Sequence, residues 1–225
     1  MEAGKPTPRF YGWWLLFFLW VIYTIPIGFV FYGPPVLYPF MIEETGWSRA
    51  DIMVGYAAIM LLTGIASPLA AWMIGRLGVR VTVFIGAIGV AVINFAMASI
   101  GDDYSAYLTL CVLLGLAVAL ATFIPIQTVI VFWFDARRAL ALGLVLGGGA
   151  IGGFFAPQIV NAAVLAAGGD WRIGWNIAGI AALIAAVVAV LAVRNRPADL
   201  GQYPDGVPPD QAKAMVGASR ARRTY

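Results

Sequence analysis

The sequence predicts an all-α membrane protein: six transmembrane helices forming two inverted repeats of three, with both termini on the cytoplasmic side. Three observations predict it. The 225 residues are 62% hydrophobic and only 11% charged, about half the charge share of a soluble domain. The charges cluster, leaving uncharged runs at 10–42, 52–75, 81–101, 104–134, 139–169 and 173–193. Each run reaches the ~20 residues that a helix needs to cross a hydrocarbon core about 30 Å thick. Finally, the basic residues fall on alternate connectors.

The first run is 33 residues long, contains Trp and Pro throughout, and is followed by no small-residue cleavage site, so it is a span and not a removable leader. Counting sides from it, Lys5, Arg9, Arg76, Arg80, Arg137, Arg138, Arg194, Arg196, Lys213, Arg220, Arg222 and Arg223 share the side of residues 1–9. The other side has Arg49 and Arg172 alone, together with Glu43, Glu44, Asp51, Asp102, Asp103 and Asp170. Twelve basic residues against two place residues 1–9 and the tail 194–225 in the cytoplasm. A net charge of +3 then reflects topology, not nucleic-acid binding.

Proline falls in the first run (Pro26, Pro34, Pro35, Pro39), the second (Pro68), the fourth (Pro125) and the fifth (Pro157). The third and sixth have none, so the expected pattern is broken, broken, straight, twice over. The second and fifth runs also match at an offset of 89 residues: Arg49-Ala50 on Arg138-Ala139, Gly64 on Gly153, Pro68 on Pro157. The matched segments start on opposite sides, as in an inverted repeat. Broken helices free backbone groups that must be satisfied by protein, water or a ligand. Spans one, two, four and five are therefore expected to line a cavity, with three and six supporting them.

No histidine occurs and the single cysteine, Cys111, lies inside the fourth run, which argues against metal clusters, cofactors, disulfides and Cys/His catalysis. Gly143, Gly147, Gly148, Gly149, Gly152 and Gly153 give the fifth span a small-residue face for close helix packing. No Lys-Ser/Thr follows, so it is not a phosphate loop. Within the runs the polar candidates for solute contact are Tyr32, Tyr56, Thr122, Gln127 and Gln158, with Asn161 beside them; interhelical hydrogen bonding is the competing reading for each. Asn94 and Asn176 lie on the supporting spans and read as structural. Trp13, Trp14, Trp47, Trp133 and Trp171 lie near run ends and read as interfacial anchors.

Five motifs occur in order: Phe10-Tyr-Gly-Trp-Trp14, Gly46-Trp-Ser-Arg-Ala50, Gly75-Arg-Leu-Gly-Val-Arg80, Trp133-Phe-Asp-Ala-Arg-Arg-Ala-Leu-Ala-Leu-Gly143, and Asn195-Arg-Pro-Ala-Asp-Leu-Gly201 with Pro204-Asp-Gly206. In this order they resemble bacterial transporters of the major facilitator superfamily, nearest to the monocarboxylate porter and oxalate/formate antiporter branch. The resemblance covers residues 10 to 206. It implies the N-terminal six-helix half of an inner-membrane secondary carrier for a small organic anion, with residues 194–225 opening the loop to a second half. That second half would be another chain, a copy of this one, or the rest of a longer protein. The resemblance also implies gating roles for Arg76, Gly78 and Arg80, although Gly75 stands where the family usually has an aspartate. Asp135 is then a candidate partner for Arg76 or Arg80. None of the runs has an ionisable carboxylate or base away from its ends, which leaves open a second reading, a non-transporting subunit of a larger membrane complex.

Overall fold

The computed structural model describes residues 10–208. Among these residues it is built of α-helices, short 3₁₀ turns and one π-helical segment. Span 1 begins as α1 (Gly12–Pro26), widens into a π-helix over Ile27–Tyr32, tightens at Pro34–Val36 and resumes as α2 (Tyr38–Thr45). The widening follows from the prolines. Gly33 N–H reaches back five residues to the Gly28 carbonyl at 2.8 Å, while Pro34 and Pro35 have no N–H to continue the ladder. Gly46, at φ +72°, ends α2.

Span 2 is α3 (Arg49–Ile65) followed by α4 (Ser67–Leu77). Its start is fixed by a capping box between Ser48 and Asp51, and it bends by 47° at Ala66, just before Pro68. Span 3 is α5 (Val79–Met97). Span 4 is α6 (Tyr104–Ala121), with its first amides capped by Asp103, and α7 (Phe123–Trp133). The helix breaks at Thr122, three residues before Pro125. Span 5 is α8 (Arg138–Ala166) and span 6 is α9 (Arg172–Ala192). By length and composition, five of these stretches can cross a bilayer, and a sixth can if the bent pair counts as one.

One expectation fails. Pro157 lies inside a continuous 29-residue helix, so span 5 is not interrupted. A proline ring collides with the carbonyl four residues earlier, here that of Gly153, yet the helix passes through. The remaining breaks, in spans 1, 2 and 4, fall where expected.

The packing has a pseudo-symmetry. Span 3 packs on span 6, span 2 on span 4, span 5 on span 1, span 3 on span 4 and span 6 on span 1. Exchanging spans 1–3 with spans 4–6 leaves this set of pairs unchanged, as a three-plus-three repeat requires. The central pair is sealed by Val83, Val90, Ala182 and Ala189, all at most 1% exposed. Side chains also sort the connectors onto two faces. Residues 10–11, 78–80, 133–136 and 194–206 bond to one another at the face carrying the termini, while Glu44, Asp51, Tyr104 and Trp171 meet at the opposite face.

Candidate functional site: a hydroxyl-lined concavity

Spans 1, 2, 4 and 5 enclose a concavity of about 740 Å³. Span 1 contributes Tyr23, Ile27, Phe31 and Tyr32; span 2 contributes Tyr56, Met60, Thr63, Gly64 and Ser67. Span 4 adds Ala119, Phe123 and Ile124, and span 5 adds Leu146, Gly149 and Ala150. Spans 3 and 6 contribute nothing to its lining. These four spans are the ones that proline singled out, although the fifth lines the concavity as an unbroken helix.

The wall contains no carboxylate, amine or guanidinium; its polar groups are hydroxyls. The Tyr23 and Tyr32 hydroxyls have no hydrogen-bond partner among the described residues, although Tyr23 is only 5% exposed and packs edge-on against Phe123 at 5.7 Å. Tyr56 donates to the Phe31 carbonyl at 3.3 Å. Thr63 shares its hydrogen between the Ile59 and Gly115 carbonyls, at 2.7 and 3.2 Å. Such a surface offers phenolic donors and aromatic area, the usual furnishing of a small-molecule site, but no opposite charge for an ion.

Of the five residues expected to contact solute, two line the concavity: Tyr32 and Tyr56. Thr122 is fully buried at the break in span 4 and returns its hydroxyl to the Val118 carbonyl at 2.8 Å. Gln127 lies half-buried on α7 and Gln158 is exposed on α8, both away from the lining. Sequence reasoning missed Tyr23, Thr63 and Ser67. The signal was present, because 56, 60, 63 and 67 follow one helical stripe.

The glycine face of span 5 packs closely, but only in part. A Cβ on Gly152 would sit 2.5 Å from the Thr24 carbonyl oxygen, and one on Gly28 would sit 2.8 Å from the Gly152 carbonyl oxygen. Gly148 lies against Thr24 and Trp20 in the same seam. Gly143 and Gly147 face open space.

At the termini face the expected gating residues are engaged within the chain. Gly78 has φ +82°, and a Cβ there would lie 2.7 Å from Asn195 Nδ2. The Arg80 amide donates to Asn195 Oδ1 at 3.0 Å, and its guanidinium donates to the Val190 carbonyl. Arg76 is exposed and lies over Trp72 at 5.9 Å. Asp135 faces Arg138 at 3.6 Å and does not reach Arg76 or Arg80, because its own connector supplies a nearer cation. The stretch 194–206 acts as a strap. Trp133 Nε1 donates to the Arg194 carbonyl at 3.1 Å, and the Tyr11 amide donates to Gln202 at 3.0 Å. The Asp205 carboxylate accepts from the Asp135 and Ala136 amides at 2.9 and 2.7 Å.

Two of the tryptophans read as membrane anchors are interior. Trp133 and Trp171 are both 0% exposed, because each indole N–H finds an oxygen acceptor at a neighbouring helix end. Trp171 donates to Glu44 at 2.8 Å, beside Arg172, whose guanidinium grips both oxygens of the same carboxylate at 2.6 and 3.0 Å. Donation from Arg172, assisted by Trp171, holds the Glu44 carboxyl below the usual glutamate range. Trp13 and Trp14 remain exposed. Lys5, Arg9, Lys213, Arg220, Arg222 and Arg223 lie outside the described residues.

The chain resembles known proteins in the same sense. A nitrite extrusion protein of Bacillus subtilis is 25% identical over 182 residues, covering 79% of this chain and 43% of that protein. A probable nitrate/nitrite transporter of Mycobacterium tuberculosis is 29% identical over 160 residues, 67% of this chain and 38% of its own length. An MFS-type transporter of Aspergillus fumigatus is 34% identical over 109 residues, 48% of this chain and 25% of its own. The chain thus spans less than half the length of these three relatives. The model described as Major Facilitator Superfamily matches residues 19–214, most of the chain. With that match and six apolar spans around a concavity, the chain belongs to the Major Facilitator Superfamily.

Proposed function

We propose that this chain forms the N-terminal six-span half of an alternating-access carrier for small anions, with its termini in the cytoplasm of a bacterial inner membrane. Family membership points to a transporter and not an enzyme, and the chain is a multi-pass membrane protein. The observation that carries the finer reading is the uncharged, hydroxyl-lined wall formed by spans 1, 2, 4 and 5. One wall of that kind supplies hydrogen bonds to an anion but no cation, so a facing half must bring the positive charge. Tyr23, Tyr32 and Tyr56 are the donors assigned to the solute here, with Thr122, Gln127 and Gln158 as residues whose positions at or beside the broken span or on span 5 affect it indirectly.

Monocarboxylates, and dicarboxylates by extension, are the substrate class supported by the motif resemblance. The nitrate and nitrite named for two relatives extend the class to inorganic oxyanions of similar charge. Arg76, Gly78, Arg80 and Asp135 stand at the cytoplasmic gate, where Gly78 and Arg80 act by fixing the strap. A second reading, a half-transporter kept as a non-transporting subunit, is favoured by one observation: Asn195 already occupies the Gly78–Arg80 corner that a facing half would otherwise latch.

The test is the mass of the chain purified in mild detergent with whatever accompanies it, followed by uptake of labelled butyrate and nitrate into vesicles. A pair of six-span units with uptake that falls in Tyr32→Phe supports the carrier. A stable assembly with unrelated membrane subunits and no uptake replaces it with the second reading.

A further inference from the structure

A second cleft, of about 660 Å³, opens at the face opposite the termini, between the end of span 1 and the start of span 2. It is lined by Pro35, Tyr38, Pro39 and Ile42 on one side and Arg49, Ile52 and Met53 on the other. Two polar groups in it are unspent. Arg49 is exposed and has no ion pair or hydrogen bond among the described residues. The only other basic residue of this face among the described residues, Arg172, is held by Glu44 and Asp170 at 2.6 and 3.6 Å. Tyr38 is only 7% exposed, yet its hydroxyl has no hydrogen-bond partner among the described residues. The nearest carboxylate in sequence, Asp51, is turned into the cap of α3, accepting from Ser48 N and Oγ at 2.9 and 2.6 Å.

We infer that this cleft binds a small monocarboxylate with an alkyl body, its carboxylate held by the Arg49 guanidinium and the Tyr38 hydroxyl. A single guanidinium matches a single carboxylate, which it can grip through two N–H groups. A phenol that is 7% exposed and whose hydroxyl has no partner among the described residues keeps a donor free for an acceptor in the cleft. The other five lining residues are apolar, and they fit a short hydrocarbon chain better than a bare oxyanion. The helical register joins this cleft to the large concavity. Arg49, Ile52 and Tyr56 share a face of span 2, and Tyr56 also lines the concavity. The cleft is therefore an entry station for solute, a role that rests on the transport reading, whereas its occupancy does not.

The site is tested on the purified chain by phenylglyoxal modification of Arg49, followed by mass spectrometry, with sodium butyrate or sodium nitrate as protectant at constant ionic strength. Butyrate is expected to slow modification of Arg49 and leave Arg138 unaffected, at a lower concentration than nitrate. Tyr38→Phe is expected to raise the half-protecting butyrate concentration about tenfold, the loss of one hydrogen bond to a charged group. Unchanged modification with butyrate, or protection indifferent to Tyr38→Phe, overturns the site. Nitrate protecting as well as butyrate overturns the assignment of an alkyl ligand. Absent uptake in vesicles with protection intact removes the carrier reading and leaves this site standing.

Discussion

Spans 2 and 5 are repeat-related, and they use the same helical stripe differently. In span 2 the stripe is Tyr56, Met60, Thr63 and Ser67, part of the concavity wall. At the 89-residue offset, span 5 has Val145, Gly149, Gly152 and Ala156, all buried, and of these only Gly149 borders the concavity. Both seams press on a glycine of the partner span: a Cβ on Gly115 would meet the Ile59 carbonyl oxygen at 2.7 Å, and one on Gly28 would meet that of Gly152 at 2.8 Å. Yet span 2 bends by 47° while span 5 runs straight through its proline. The residue four before the proline does not explain this, since it is glycine in both, Gly64 and Gly153. The hydroxyls do. Thr63 and Ser67 return their hydroxyls to the carbonyls of Ile59 and Thr63, at 2.7 and 3.5 Å, and such back-bonding bends helices. Span 5 has no hydroxyl there, and its backbone is clamped against span 1. The difference teaches that proline supplies the opportunity to bend and the neighbouring side chains decide whether it is taken.

The comparison is broken most directly at Gly152. Leucine there must displace backbone of span 1 and not merely a flexible side chain, so Gly152→Leu is expected to lose about 3 kcal/mol, the top of the usual overpacking range. Gly143→Leu, which faces open space, is expected to change stability by less than about 0.5 kcal/mol. Thermal unfolding in detergent measures both. Equal losses would show that the span 1–span 5 seam is not the tight one.

The bend itself provides the next test. Ser67→Ala with Pro68→Ala should let α3 and α4 become collinear. At 1.5 Å per residue, straightening the 17- and 11-residue segments lengthens span 2 by about 3 Å, readable between spin labels at its ends. Pro157→Ala should leave the length of span 5 unchanged. A lengthened span 5, or an unmoved span 2, would mean that the hydroxyls are passengers. Removing only the shared hydroxyl, in Thr63→Val, is a smaller perturbation: about 0.6 kcal/mol, the average for a hydrogen bond between membrane helices. A loss several times larger would place Thr63 in the seam and not on the solute wall.

Much of this was legible in the sequence. Uncharged runs of sufficient length dictated six spans, and proline dictated the four that surround the concavity, because both act within a single segment. The individual site residues were less legible. Tyr32 and Tyr56 line the concavity as their positions suggested, whereas the place of Thr122, buried at the break, depends on how span 4 turns there, a tertiary fact. Gln127 and Gln158 were chosen as polar residues on spans expected to be broken by proline, and neither property says which way a helix faces. Tyr23 was passed over because its place on the wall depends on which face of α1 turns toward the concavity, a tertiary fact. The strap was legible as a turn but not as a set of acceptors, since Asn195 and Asp205 act on residues more than sixty positions away.

The smallest effect expected lies where the repeat halves end. Span 1 finishes against the start of span 6 through the Glu44–Arg172 pair, with both terminal nitrogens of the guanidinium engaged. The equivalent junction, where span 4 finishes near the start of span 3, uses uncharged groups: the Trp133 indole donates to the Arg194 carbonyl and the Arg80 amide donates to Asn195 Oδ1. Acid therefore distinguishes the two. The Glu44 carboxyl is held below its ordinary value by Arg172, so the unfolded chain takes up a proton first. The pair's contribution is fully present above the ordinary glutamate value of about 4.3 and is lost as pH falls from there through the depressed folded value. The pair is largely open to solvent, which screens it to less than about 1 kcal/mol. Hydrogen exchange at the Arg172 and Ile173 amides should thus accelerate modestly on acidification below that range, while exchange near Arg80 and Trp133 stays flat. In Glu44→Gln the acid-dependent step at span 6 should vanish. If it persists, another carboxylate governs that junction, and the nearest is Asp170, 3.6 Å from the same guanidinium.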